Sequence, residues 1–131
     1  MQELYSIGIS DITIKSMLEL NPDISELIEK EIVEKEEILK DVGCSDRQIL
    51  NIISSNPLFL SRTNEEIIKL IDYLNDSGFT CLNILFDSNP YILNLDIFEI
   101  KDYIENRLSD GEEFDEIIDD LDSNRILFQE M

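Results

Sequence analysis

The side chains most able to do chemistry in this sequence are carboxylates. Asp and Glu number 30 against 10 Lys and Arg, His is absent, and the formal charge at pH 7 is −20. Such a set could pair for acid–base work, ligate a divalent cation or attract a basic partner. The missing imidazole removes Ser-His-Asp and Cys-His catalysis, His-ligated metals and haem. No Asp or Glu stands in a recognisable hydrolase context, and among 30 carboxylates coincidental pairs are expected. The four glycines are isolated, so no phosphate-cradling loop is present. Cys44 and Cys81 lie 37 residues apart without a CxxC and read as two small buried hydrophobes in a reducing cytoplasm. The expectation is a non-enzymatic protein without cofactor or metal.

The densest acidic stretch is GEEFDEIIDDLD, residues 111–122, with seven carboxylates and no cation. On a helix, Glu112, Glu113, Asp115, Glu116, Asp119 and Asp120 would surround Phe114, Ile117, Ile118 and Leu121. That is the polar exterior a terminal repeat needs, and it is also the candidate docking surface for a basic partner. From Asp120 the chain begins like an EF-hand loop, with Asp120, Asp122 and Asn124 at positions 1, 3 and 5. Arg125 then takes the glycine position and Met131 that of the bidentate Glu, so the motif fails. The run ELIEKEIVEKEEILK, residues 26–40, reads as a solvated helix face. Glu26–Lys30 and Glu31–Lys35 brace it at i,i+4, each pair worth about 0.2–0.5 kcal/mol.

A repeat positions these groups. Gly8, Gly43, Gly78 and Gly111 are spaced 35, 35 and 33 residues apart, and Pro22, Pro57 and Pro90 are spaced 35 and 33. Each proline follows an asparagine: Asn21, Asn56 and Asn89. Every Gly and Pro of the chain thus falls on one grid. The units lie near residues 4–38, 39–73, 74–107 and 108–131, the last a partial one beginning at Leu108. At 131 residues and 43% apolar content they make one domain, 1–131, too apolar for a disordered chain.

Each unit predicts a first helix, a proline turn, a second helix and a glycine cap. Ser45 and Gln48 form a capping box, after which Ile49, Ile52 and Ile53 share one face. Asn56, held out of the α region by Pro57, ends that helix, and PLFL makes a short 3₁₀ turn. Thr63 and Glu66 start the second helix, which carries Ile67, Leu70, Ile71 and Leu74; Asp96 and Glu99 do the same one unit on. The glycine then supplies a left-handed C-cap. Helices are expected near residues 10–20, 25–41, 45–55, 64–76, 80–88, 96–108 and 112–122, with no sheet. Two helices cannot bury an apolar face alone, so units must stack. The fold class is all-α: a short right- or left-twisted α-solenoid of about three and a half helix–turn–helix repeats of 33–35 residues.

The pattern Leu-x-x-x-Gly-Phe/Cys-Ser/Thr, then Ile-x-x-Ile-Ile-x-x-x-Pro-x-x-Leu, resembles the mitochondrial transcription termination factor (mTERF) repeat. Residues 39–80 carry it best, through Gly43, Ser45, Ile49, Ile52, Ile53, Pro57, Leu60, Leu74 and Gly78; the third unit follows through Pro90 and Leu93. The tetratricopeptide signature needs Trp and Ala, and this chain has neither. The resemblance implies a twisted solenoid of helical triplets. In that family the solenoid holds double-stranded nucleic acid along a basic concave path and acts in organellar gene expression.

Charge and resemblance point to different partners. Strong acidity suits a helical-repeat module that binds a protein, a basic one by long-range steering. It argues against a broad phosphate-binding surface and against anionic lipid. The alternative, carried by the resemblance, is an mTERF-like nucleic-acid-binding protein acting in transcription or its regulation. Its candidate contacts are Lys40, Arg47, Arg62 and Lys69, the four cations of the second unit, which has more than any other. The N-terminal MQELYSIGISD lacks the basic and apolar regions of a signal peptide, and no apolar run reaches about 18 residues. The expected location is cytoplasmic, with no membrane contact.

Overall fold

The computed structural model describes residues 2–79, 81–113 and 116. Among the described residues seven α-helices run in chain order: α1 (Gln2–Ser6), α2 (Asp11–Leu20), α3 (Glu29–Asp41), α4 (Asp46–Ser55), α5 (Asn64–Ser77), α6 (Leu82–Ser88) and α7 (Ile97–Ser109). Three five-residue 3₁₀ turns stand between paired helices, at Pro22–Glu26, Pro57–Ser61 and Pro90–Asn94. No strand occurs among the described residues. The expected helix at 112–122 lies outside them except for Glu112, Glu113 and Glu116.

Each repeat is therefore a triplet of helix, 3₁₀ turn and helix. Every turn opens on its proline, whose fixed φ suits a first helical position and whose missing N–H costs nothing there. The preceding asparagines share one non-helical backbone geometry, with φ −142°, −134° and −131° and ψ 87°, 72° and 69°. Like elements pack on like from unit to unit: α2 on α4 and α4 on α6, α3 on α5 and α5 on α7, and each proline turn on the next. The core follows that stacking. Ile14 and Met17 of α2, Ile49, Ile52 and Ile53 of α4, and Leu82, Leu85 and Phe86 of α6 are buried, as are Ile24, Phe59, Leu60, Ile92 and Leu93 of the turns.

The glycines are the left-handed caps the grid predicts, with φ between +93° and +109°. Gly43 N–H donates to Lys40 O and Cys44 N–H to Leu39 O, both at 3.0 Å. This is a Schellman motif, in which the residue after glycine packs on the residue four before it. Ile9 on Leu4, Cys44 on Leu39 and Phe79 on Leu74 are all buried pairs. At Gly111 the same bond runs from Glu112 N–H to Arg107 O. Arg107, not Leu108, thus occupies the repeat position of Leu39 and Leu74, and Leu108 is exposed. The greasy pair is replaced by an ionic one: Arg107 Nε donates to Glu112 Oε2 at 2.7 Å, and its Nη2 bonds the other carboxylate oxygen.

Three local expectations change. The helix expected from residue 25 begins at Glu29, because residues 22–26 form the 3₁₀ turn and Leu27 and Ile28 are extended. The unanticipated α1 is fastened by the Glu29 carboxylate, which accepts from the backbone N–H groups of Gln2 at 2.9 Å and Glu3 at 2.6 Å. The Ser45–Gln48 capping box closes in both directions. At Thr63 and Asp96 the side chain accepts from the N3 backbone, but the reciprocal bond is missing; Glu66 accepts instead from the Thr63 hydroxyl.

Candidate functional site

Asparagine holds the turns together across repeats. Asn21 Nδ2 donates to Pro57 O at 3.0 Å and to Ser61 Oγ at 2.7 Å. Asn56 Nδ2 donates to Pro90 O at 2.8 Å and to Asn94 Oδ1 at 3.1 Å, while Asn94 Nδ2 returns a bond to Asn56 Oδ1. Asn89 occupies the third rung, fully buried. The first two rungs each tie one proline turn to the next.

Two grooves recur at the junctions between successive second helices. The first, about 280 Å³, is bounded by Leu27, Glu31, Glu34 and Lys35 on one side and Arg62, Thr63 and Asn64 on the other. The second, about 210 Å³, has Arg62, Glu66, Lys69 and Leu70 facing Leu95, Asp96 and Ile97. Position for position they are the same groove one repeat apart. Their chemistry differs. In the first, Lys35 Nζ donates to Asn64 Oδ1 at 2.6 Å and Asn64 Nδ2 bonds Glu34. In the second, that polar network gives way to Leu70 and Ile97.

The four candidate nucleic-acid contacts differ in their surroundings. Arg62 and Lys69 share the second groove. Lys40 lines a different cavity with Glu3, Glu36 and Asp46, and Arg47 lines none of the three. Arg62 is turned inward, its side chain 15% exposed: Nη1 donates to Leu93 O at 2.6 Å and Leu95 O at 2.9 Å, and Nη2 pairs with Glu66. The Thr63 hydroxyl and that guanidinium hold the Glu66 carboxyl below its ordinary value. Lys69 makes an exposed pair with Glu65 at 3.0 Å. Lys40 and Arg47 are exposed.

Of the six acidic docking candidates, Asp115, Asp119 and Asp120 lie outside the described residues. Glu113 and Glu116 are exposed. Glu112 is already engaged by Arg107, whose hydrogen bonds lower its pKa. Cys44 is buried as expected, and burial followed by the charge of Asp87 pushes its thiol up to about 11. Cys81 is exposed, contrary to expectation, because it stands at the N-terminal boundary of α6 rather than on its inner face.

The charged run of α3 is also corrected. Glu26 belongs to the 3₁₀ turn, and the pair that forms is Lys30–Glu34, at 4.0 Å. Lys35 and Glu36 are buried, 4% and 5% exposed. Burial lowers the Lys35 pKa, opposed by the charges of Glu34 and Glu31. Glu36 moves the other way, up to about 8, chiefly by burial and then by a hydrogen bond with the Glu3 carboxyl. The repeat grid carried the signal: Ile32, Lys35, Glu36 and Leu39 are the counterparts of Ile67, Leu70, Ile71 and Leu74.

Stacked triplets closed by glycine caps and joined by buried asparagines define an all-α helical-repeat protein. The mTERF family model matches residues 1–112, and the chain belongs to that family. Comparison with curated proteins and with solved structures finds no match. No helix among the described residues is long and apolar enough to cross a membrane.

Proposed function

We propose that this chain is a nucleic-acid-binding helical-repeat module acting in transcription or its regulation. The observation that carries the reading is the family match over residues 1–112, since duplex binding along stacked triplets is the role the mTERF resemblance implies. The contacts are Lys40, Arg47 and Lys69. Arg62 is instead a brace between the second and third repeats, and the Lys69–Glu65 pair, exposed at both ends, is readily exchanged for a phosphate. Three phosphate contacts amid a charge of −20 give weak, salt-sensitive affinity. Binding to duplex is expected at low ionic strength and absent near physiological salt, about 150 mM. Fluorescence anisotropy with a labelled duplex tests this. Charge reversal at Lys40, Arg47 and Lys69 together abolishes low-salt binding if the reading holds.

A second reading, an acidic module for a basic protein partner, is favoured by the charge balance. Lys35, Arg62 and Arg107 are engaged within the chain, which leaves exposed faces dominated by carboxylates. In that case the triple reversal leaves affinity for a basic peptide unchanged or stronger, and duplex binding is absent at every salt concentration.

A further inference from the structure

The cavity between α1, α3 and α4 belongs to neither groove. It has a volume of about 270 Å³ and is lined by Glu3, Ser6, Ile7, Glu36, Lys40, Asp46 and Ile49. Three carboxylates and a hydroxyl face it, Ile7 and Ile49 form its apolar wall, and among the described residues Lys40 is the single cation lining it. Glu36 occupies the slot that holds Ile71 in the next repeat and Ile104 in the one after. A carboxyl in an isoleucine slot gains no packing and loses its water. It is 5% exposed, and its Oε2 accepts no hydrogen bond among the described residues. Lys40 makes no ion pair with it within 4.0 Å. An unsatisfied acceptor at a walled opening asks for a donor, and the neighbouring Glu3 and Asp46 ask for a positive one.

We propose that this cavity binds an alkylguanidinium or alkylammonium group. The head donates hydrogen bonds to Glu36 Oε2 and to the carboxylates of Glu3 and Asp46, with the Ser6 hydroxyl as a further acceptor. The alkyl stem lies against Ile7 and Ile49. A metal ion fits worse: among the described residues no group of three or more carboxylates or thiols is arranged to hold one. The chemistry is shared by an arginine or lysine side chain of another protein and by a free polyamine. Burial first, then the hydrogen bond and charge of Glu3, push the Glu36 carboxyl up to about 8, with Lys40 lowering that value and Asp46 raising it. Seating a cation expels the proton, so affinity rises with pH until the carboxyl is ionised.

The test uses the full chain with three probes: N-acetylarginine amide, spermidine and the neutral isostere N-acetylcitrulline amide. Methyl NMR follows Ile7 and Ile49, and calorimetry in two buffers counts protons released. Expected is saturable binding of the arginine derivative at millimolar concentration or tighter, with shifts at both isoleucines and a proton released. Its affinity should rise at least about tenfold from pH 6 to pH 8.5, a deprotonation that costs about tenfold per unit below the pKa. Glu36→Gln, close in shape and uncharged, should weaken it by a similar factor. Tighter binding of the arginine derivative assigns the site to a protein side chain, and tighter binding of spermidine to a free polyamine. Either supports the proposal. Equal binding of the citrulline derivative overturns it, as does a wild type that binds neither cation, or a folded Glu36→Gln that binds as tightly as wild type. Should Glu36→Gln fail to fold, Asp46→Asn decides: weakened binding supports the site, and unchanged binding overturns it.

Discussion

The side-chain amide of Asn56 donates to the carbonyl of Pro90, 34 residues away, at 2.8 Å, and Asn21 repeats the bond to Pro57 at 3.0 Å. Asparagine in the Asn-Pro pair does more than precede a proline. Its amide adds a donor to a buried carbonyl of the next turn, tying the two turns together. Asn56→Ala removes the side-chain donor to Pro90 O and the acceptor of the Asn94 amide. At about 1–3 kcal/mol for an unsatisfied buried group, a loss of about 2 kcal/mol is expected. Urea unfolding checks it as a lower midpoint with an unchanged slope. Asn56→Asp should cost more, because it buries a charge that cannot donate.

The glycine caps give a second expectation. Gly43 has φ +99°, and a Cβ added there would meet nothing closer than Asn83, at 3.9 Å. The cost of Gly43→Ala is therefore conformational rather than steric, about 1 kcal/mol. Chemical denaturation of the variant measures it. A neutral effect would mean that the cap does not need glycine.

The grid of glycines and Asn-Pro pairs made the triplet legible, since each type answers a local backbone demand. What the grid did not reveal was which polar residues turn inward. Lys35 and Glu36 sit in a run of alternating charges that locally looks like a solvated helix face. Superposing that run on Ile67–Leu74 would have flagged them as polar residues in apolar slots. Asn56 was legible only as a turn residue and Asn94 not at all, because a bond 38 residues long has no local signature. Arg62 was grouped with Lys40, Arg47 and Lys69 by proximity in sequence. Its two carbonyl partners lie in the next repeat, and nothing near Arg62 announces them.

Arg62 is thus expected to behave as a structural residue. Arg62→Ala leaves Leu93 O and Leu95 O without their shared donor and should lower stability by about 2 kcal/mol. Lys69→Ala, which removes an exposed pair, should change it by less than about 0.5 kcal/mol. Thermal or urea unfolding of the two variants side by side separates them. Arg62→Lys should not restore the loss, because an ammonium lacks the fork that reaches both carbonyls.

Glu36 links stability to pH. Its folded pKa, about 8, lies above the ordinary carboxyl value of 4.5, so the protonated carboxyl is favoured by folding. That contribution is complete below about pH 4.5 and is lost as pH rises to about 8. Glu66 and Glu112 act oppositely, since lowered pKa values withdraw their stabilisation as pH falls through them. Between pH 5 and pH 8 the wild type should lose stability relative to Glu36→Gln, which cannot ionise. Unfolding midpoints of both proteins across that range check the sign. Parallel curves would mean that Glu36 titrates normally.

The claim that this acidic mTERF-family chain binds nucleic acid is tested most directly by its salt dependence. Anisotropy of a labelled duplex is measured with the full chain between low and physiological ionic strength. Contacts from Lys40, Arg47 and Lys69 predict binding at low salt, with a log–log slope near −2.7 at about 0.9 per phosphate. Reversal of the three charges should abolish it. A flat, unbound signal at the lowest salt, with affinity for a basic peptide untouched by the reversal, would contradict the account.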